Sequence, residues 1–282
     1  MKKEAEFNPH TPTAAPSGYV SLCSASELNL EKTFECGQCF RWEADESGVY
    51  MGIAGGFPAE LLEAEGEVLI RSNAPAGFWE EYFDLETDYA AASEPFYSVP
   101  YLSECTEDGF GIRILRQEFW EALCSFIISQ CNNIKRIKGI VSRLCEECGE
   151  EVEFNGRIYR EFPSAERISA MKVEDLSFLR AGYRAPYIIS AARAVAAGEL
   201  EAEELRECGF EEAKKELLKL EGVGEKVANC VVLFGLHHME AFPVDVWIKR
   251  ALKEHFPPDF EPGSLGPYAG LAQQYIFYHM RG

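Results

Sequence analysis

Two periodicities divide the chain. Between Tyr19 and about Asp88, apolar residues come in short or alternating runs, at Phe40-Arg41-Trp42, Val49 to Ile53, Glu60 to Leu62 and Val68 to Ile70. Gly48, Gly55-Gly56 and Gly66 punctuate these runs. Short runs with a period near two between glycine turns predict an antiparallel sheet. Phe78 to Tyr82 begins a short helix. From Leu115 onward the spacing turns helical. Phe119, Trp120, Leu123, Phe126 and Ile127 share one face, and Ile137, Ile140, Val141 and Leu144 share another. The polar break Ser129-Gln130-Cys131-Asn132-Asn133 between them is either a turn or a loop whose tip acts on something. Further helices are expected after Pro163 with Ser164 as N-cap, and over Tyr187–Ala197, Glu211–Leu220, Glu225–Leu236, Val246–Phe256 and Gly270–Met280. Asp245 can cap the helix that begins at Val246, and Pro257-Pro258 ends it. The chain therefore reads as α+β, an N-terminal antiparallel sheet domain followed by an all-α domain. The expected divisions are a flexible tail over 1–17, rich in Pro, Thr and Ala, the sheet domain over 18–112 and the helical domain over 113–282.

Composition narrows the class. With 282 residues, 47% of them apolar, the chain can bury two cores. No run approaches the roughly 20 apolar residues that span a bilayer, and Met1-Lys2-Lys3-Glu4-Ala5-Glu6 is not followed by the apolar stretch of a secretory leader. A soluble intracellular protein is the expectation, cytoplasmic and nucleoid-associated if prokaryotic. Ten irregularly spaced cysteines do not form a secreted disulfide framework. Cys36/Cys39 and Cys145/Cys148 have C-x-x-C spacing, which zinc uses, but a strand and a helix end account for them without it. No metal or cofactor is expected. The net charge of −20 argues against a generic nucleic-acid binder, although the placement of charge matters more than its sum. Lys135, Arg136, Lys138 and Arg143 form a basic run without an acid, while acids crowd 59–67, 80–88 and 199–204.

The densest chemistry lies in Leu220-Glu221-Gly222-Val223-Gly224-Glu225-Lys226-Val227-Ala228, followed by Pro243-Val244-Asp245-Val246. Gly222 and Gly224 allow a tight turn that exposes backbone N–H groups at a helix N-terminus, a setting that favours phosphate. The same glycines also suit a plain helix–helix turn. Lys226 falls in the first turn, an electrostatically poor place for an ammonium; an amine so placed is a candidate nucleophile able to form a Schiff base. Asp245 reads as an N-cap, and a carboxylate there can also stabilise positive charge developing on a sugar.

These motifs resemble the helix–hairpin–helix DNA glycosylase superfamily with its Gly/Pro-rich loop and aspartate, and within it the 8-oxoguanine DNA glycosylase/AP lyases. The likeness runs from about Leu28 to Gly282. It includes Cys36-Gly37-Gln38-Cys39-Phe40-Arg41-Trp42, Ser125-Phe126-Ile127, Asn132-Asn133-Ile134 and Gly182-Tyr183-Arg184-Ala185. The resemblance implies excision of 8-oxoguanine from double-stranded DNA, opposite cytosine, by a monomer with no membrane attachment. It makes Lys226 the nucleophile at C1′ and Asp245 the stabiliser of oxocarbenium charge. It makes the Gly37 carbonyl the acceptor for the N7–H of oxidised guanine. Cys230 and Phe277 would sandwich the flipped base and Gln273 would read its Watson–Crick edge. Tyr183 would wedge beside the gap, Arg136 and Arg184 would meet the opposite cytosine, and Gly222, Gly224, Asn132, Asn133 and Trp247 would contact the DNA. Each also has a structural reading: Phe277 and Cys230 as core, Tyr183 and Arg184 as a helix cap, Gln273 as surface. The chain departs from the pattern at Cys131, where an asparagine usually fills the vacated space, and at Trp247, where histidine is common. A thiol cannot make the hydrogen bonds of an amide, and Trp247 lacks a titratable group. Two other readings compete: a glycosylase that removes alkylated bases by water attack, against which Lys226 argues, and a non-catalytic DNA- or partner-binding module.

Overall fold

The computed structural model describes residues 17–282, so the tail expected over 1–17 lies outside the described residues except for Ser17. Strand β1 (Val20–Ser24), helix α1 (Leu30–Glu35) and strands β2 (Glu43–Ala44), β3 (Tyr50–Ala54), β4 (Phe57–Ala64) and β5 (Glu67–Ser72) build one antiparallel sheet in the order β1-β5-β4-β3-β2. Glu65 and Gly66 turn β4 into β5 with φ of 53° and 82°, a pair of left-handed residues that matches the twist of a tight hairpin. Tyr50 opposes Leu61, which opposes Ile70. One sheet face thereby carries Tyr50, Ala59, Leu61, Val68 and Ile70 against Phe34, Trp42, Trp79 and Phe83. Phe34 and Trp42 stack at 4.5 Å, and the Trp42 indole donates to the Tyr82 hydroxyl at 2.9 Å.

Beyond α2 (Phe78–Tyr82), α3 (Tyr89–Ser93) and α4 (Pro100–Gly109) come α5 (Phe119–Ile128) and α6 (Ile134–Cys148), then a hairpin of β6 (Glu151–Phe154) and β7 (Arg157–Arg160). The rest is helical: α7 (Ala165–Ser169), α8 (Arg184–Ala196), α9 (Ala202–Glu207), α10 (Phe210–Leu217), α11 (Glu225–Gly235), α12 (Val246–His255) and α13 (Ala269–Arg281). Their apolar faces share a second core, into which residues of α3 and α4, with Ile112 and Ile114, also pack. The fold is α+β, a five-stranded sheet followed by a helical domain. The predicted Ser164 and Asp245 caps are present, accepting from Arg167 N–H and from Trp247 and Ile248 N–H.

Three features depart from the sequence pattern. Phe40-Arg41-Trp42 is not a strand. Phe40 packs in the helical core and Trp42 in the sheet core, so the alternation reflects burial on two sides of a joint, not strand pairing. Arg41 between them pairs with Glu121 at 2.9 Å and donates to the Arg160 carbonyl. β1 has too little apolar content to announce itself. The β6–β7 hairpin, with exposed Ile158, belongs with the helical part and docks on the sheet, where Asn155 donates to buried Glu60 at 2.9 Å.

A second joint centres on Asp84, 3% exposed. Arg116 donates to its Oδ1 at 2.8 and 3.0 Å. The Tyr89 hydroxyl donates to Oδ2 at 2.9 Å, and His237, just beyond α11, lies 3.2 Å from Oδ2. Burial disfavours the Asp84 carboxylate, but the hydrogen bonds and charges of His237 and Arg116 outweigh it and hold the carboxyl well below the usual carboxylate range.

Candidate active site

Lys226 occupies the first turn of α11, and its side chain is half-buried. Its Nζ donates to Ser129 Oγ at 3.0 Å and lies 5.4 Å from the centroid of the Phe126 ring. The Ser129 hydroxyl donates onward to the Phe126 carbonyl at 2.7 Å, so its oxygen is left to accept from the amine. Ser129 was visible in the polar break, but nothing in the sequence gave it a role; only the fold brings it to Lys226 from 97 residues away. Ser129→Ala is expected to slow covalent adduct formation by Lys226 about tenfold, the scale of one buried hydrogen bond; single-turnover trapping checks this, and an unchanged rate would contradict it.

Cys230, one helical turn beyond Lys226, is buried. Burial raises its thiol pKa; the Lys226 charge and a side-chain hydrogen bond with Lys226 oppose this, and the Asp245 carboxylate adds to it. Lys226, Cys230 and Asp245 therefore share one electrostatic neighbourhood. Asp245 caps α12 through Oδ1 alone, accepting at 2.9 Å from both N–H groups; among the described residues its Oδ2 takes no hydrogen bond. One carboxylate thus serves the helix with one oxygen and leaves the other available.

The Gly222 turn has φ of 80°, and a Cβ there would stand 2.3 Å from the Tyr187 ring. Glycine is required both by the backbone and by the packing of α8. Tyr187 in turn meets Tyr183 edge-on at 6.1 Å, and Tyr183 is 52% exposed. Around Gly224 a Cβ would meet nothing within 4 Å, so the N-terminus of α11 opens to the outside.

Gly37 and Phe277 adjoin: a Cβ on Gly37 would lie 3.3 Å from Phe277 Cε1 and 3.0 Å from Ile134 Cδ1, and Gly37 φ is 80°. Gln273, on the same helix as Phe277, is 4% exposed, and its Oε1 is buried with no hydrogen-bond partner among the described residues. Such an atom costs free energy unless something supplies a donor.

The loop after α5 is internally committed. Arg184, 4% exposed, donates to the Gln130 carbonyl from Nε at 2.9 Å and to Cys131 and Ala181 carbonyls at 3.3 and 3.1 Å. Asn132 donates to Ile128 O, and Asn133 caps α6. Cys131 is exposed with φ of 46°. Trp247 and Val246 are exposed at the start of α12. In the basic run, Lys138 is paired with Glu35 at 2.7 Å, Arg143 donates to Leu179 O at 2.8 Å, and exposed Arg136 reaches Arg180 O at 3.4 Å. This face is thus only partly free for an outside anion. All ten thiols are free, and among the described residues no group of three or more His, Cys, Asp or Glu side chains is arranged to hold a metal. Nor is any described helix long and apolar enough to cross a membrane.

Residues 20–123 match the family described as 8-oxoguanine DNA glycosylase, N-terminal domain, and residues 124–262 match the HhH-GPD superfamily base excision DNA repair protein family. An N-glycosylase/DNA lyase of Saccharomyces cerevisiae is 31% identical over 82% of this chain and 69% of its own length. A probable N-glycosylase/DNA lyase of Methanothermobacter thermautotrophicus is 32% identical over 72% of this chain and 73% of its own. Among solved structures, the Clostridium acetobutylicum 8-oxoguanine glycosylase/lyase, bound to double-stranded DNA containing cytosine opposite 8-oxoguanine, superposes with a TM-score of 0.84. It is 36% identical and covers 91% of this chain and 92% of that one.

Proposed function

From the premise that the chain belongs to the 8-oxoguanine DNA glycosylases of the HhH-GPD superfamily, we propose how its own residues carry out base excision and strand cleavage. The enzyme is a DNA repair N-glycosylase and AP lyase acting on 8-oxoguanine in duplex DNA. The target nucleotide leaves the stack, since its anomeric carbon is out of reach inside the duplex. The Lys226 nitrogen attacks C1′ with its lone pair. The bond from C1′ to N9 breaks, and the base departs with its electron pair and takes up a proton. The attached nitrogen loses a proton and its lone pair then breaks the C1′–O4′ bond, with O4′ taking up a proton as the sugar ring opens. The resulting Schiff base acidifies C2′–H, and loss of that proton expels the 3′-phosphate oxygen. Asp245 Oδ2 faces the positive charge that builds on the sugar, while Oδ1 keeps its place on α12.

Base recognition falls to Gly37, Cys230, Gln273 and Phe277. The open N-terminus of α11, with Gly222 and Gly224, takes a backbone phosphate through N–H groups, which suits a chain of strongly acidic net charge. Tyr183 wedges the gap, with Arg136, Arg184, Asn132, Asn133 and Trp247 around it, and cytosine is the opposite base. Arg184 must give up donors now spent on Gln130 and Cys131 to meet that base. The enzyme works as a monomer.

The observation that carries this reading is the half-buried Lys226 amine held by Ser129 in the same neighbourhood as Asp245 and Cys230. A panel of duplexes with one lesion each tests it. Excision of 8-oxoguanine opposite cytosine, with strand cleavage, is expected to exceed excision of alkylated purines by about 100-fold or more, the discrimination that an unpaired buried polar group can enforce. Preferential release of the alkylated bases would overturn it.

A further inference from the structure

The consecutive carbonyls of Cys36, Gly37 and Gln38 have different fates. The Cys36 carbonyl accepts from Gln274 Nε2 at 2.7 Å, and Gln274 is 2% exposed. The Gln38 carbonyl accepts from Gln117 Nε2 at 2.8 Å. The Gly37 carbonyl between them takes no protein donor among the described residues. The side chain of Gln38 is itself fixed, donating to Thr33 O at 3.0 Å and Arg113 O at 2.7 Å and accepting from Leu115 N–H at 2.9 Å.

Gly37 holds a left-handed φ of 80°, and a Cβ there would crowd Ile134 and Phe277. Yet glycine is the residue about which neighbouring peptide planes rotate most freely. The plane on one side is held through the Cys36 carbonyl, and the plane beyond Gln38 is held through the Gln38 carbonyl. The peptide linking Gly37 to Gln38 lies between these two restraints. Its orientation decides the sign of recognition. With the Gly37 carbonyl toward the base, it accepts from an N–H at position 7 of an oxidised purine. Turned over, the same peptide offers the Gln38 N–H, which suits the N7 acceptor of unmodified guanine.

We propose that Gln274 is a specificity-determining positioning residue, holding the Cys36 carbonyl so that the next peptide presents an acceptor, not a donor, to the flipped base. This rests on the reading of Gly37 as a base contact. It also makes α13 a single recognition unit, with Gln273 at the base edge, Gln274 under the loop and Phe277 on the base face.

Gln274→Met keeps the length of the side chain and removes the donor. Single-turnover rates would be measured for duplexes carrying 8-oxoguanine, guanine or a preformed abasic site opposite cytosine. The expected result is a fall of about tenfold in 8-oxoguanine excision, the scale of one buried hydrogen bond. Cleavage at the abasic site, where no base needs reading, changes less than about twofold. An equal fall in both, or an unchanged excision-to-cleavage ratio, overturns the role of Gln274. If Gln274→Met does not fold, Gln274→Asn, which keeps an amide but draws it back from the Cys36 carbonyl, decides the question by the same ratio. Wild-type protein that leaves 8-oxoguanine uncut would instead contradict the base reading itself.

Discussion

Lys226→Gln is expected to yield no borohydride-trapped adduct with an 8-oxoguanine duplex and to lower excision by roughly 1,000-fold or more, a barrier increase of about 4 kcal/mol, while the duplex is still bound. The glutamine amide can keep a hydrogen bond to Ser129 Oγ and fill the space beside Phe126, so the local packing changes little. What disappears is the lone pair that forms the bond to C1′. Asp245, which caps α12 through its own two backbone contacts, does not depend on Lys226 for its position. The phosphate contacts proposed at the α11 N-terminus come from the backbone and are expected to survive as well. A gel of trapped complexes beside a filter-binding titration checks both halves. An adduct of normal yield in Lys226→Gln would reject the nucleophile assignment, and lost binding would show that the substitution damaged more than the chemistry.

The second large effect falls on stability. Asp84→Asn is expected to lower the unfolding free energy by about 3 kcal/mol at pH 7, the lower end of the range for breaking a buried ionic cluster, because partly exposed Arg116 can turn to water. Asparagine keeps the size and tolerates the left-handed φ of 51° at this position, which isolates the charge. The pH dependence has a definite sign. The Asp84 carboxyl is depressed in the folded protein, so its contribution is fully present above the unfolded carboxyl value near ~3.9 and is lost as pH falls through the folded value. Urea midpoints of both proteins should converge on acidification below about pH 4. A constant gap from pH 7 down to pH 3 would contradict the assignment. The cluster joins the segment after α2 to His237 at the far end of the Lys226 helix. Its loss should therefore loosen the register between the two cores as well as lower stability.

The parts legible from the sequence are those governed by local rules. Asp245 capping α12, Ser164 capping α7 and the glycine turn at Gly222 follow from backbone chemistry within a few residues. The helical faces of α5 and α6 follow from periodicity. The sequence could not locate contacts between distant segments. Phe40 and Trp42 looked like alternate positions of a strand because burial in two different cores produces the same pattern as burial on one pleated face. Ser129, Gln117 and Gln274 are common polar residues whose roles arise only when α5, α13 and the Cys36–Gln38 loop converge. The resemblance places Arg184 at the opposite base, and without DNA its donors hold the Gln130, Cys131 and Ala181 carbonyls. That exchange is invisible in a linear pattern, since it depends on a loop geometry set by Cys131 at positive φ.

The most direct measurement is the mapping of the covalent intermediate. Wild-type protein would be incubated with an 8-oxoguanine:cytosine duplex and borohydride, digested with protease, and the sugar-modified peptide sequenced by mass spectrometry. Modification is expected at Lys226 alone. A stable adduct on another amine, or base release with no adduct under conditions that trap a Schiff base, would contradict it.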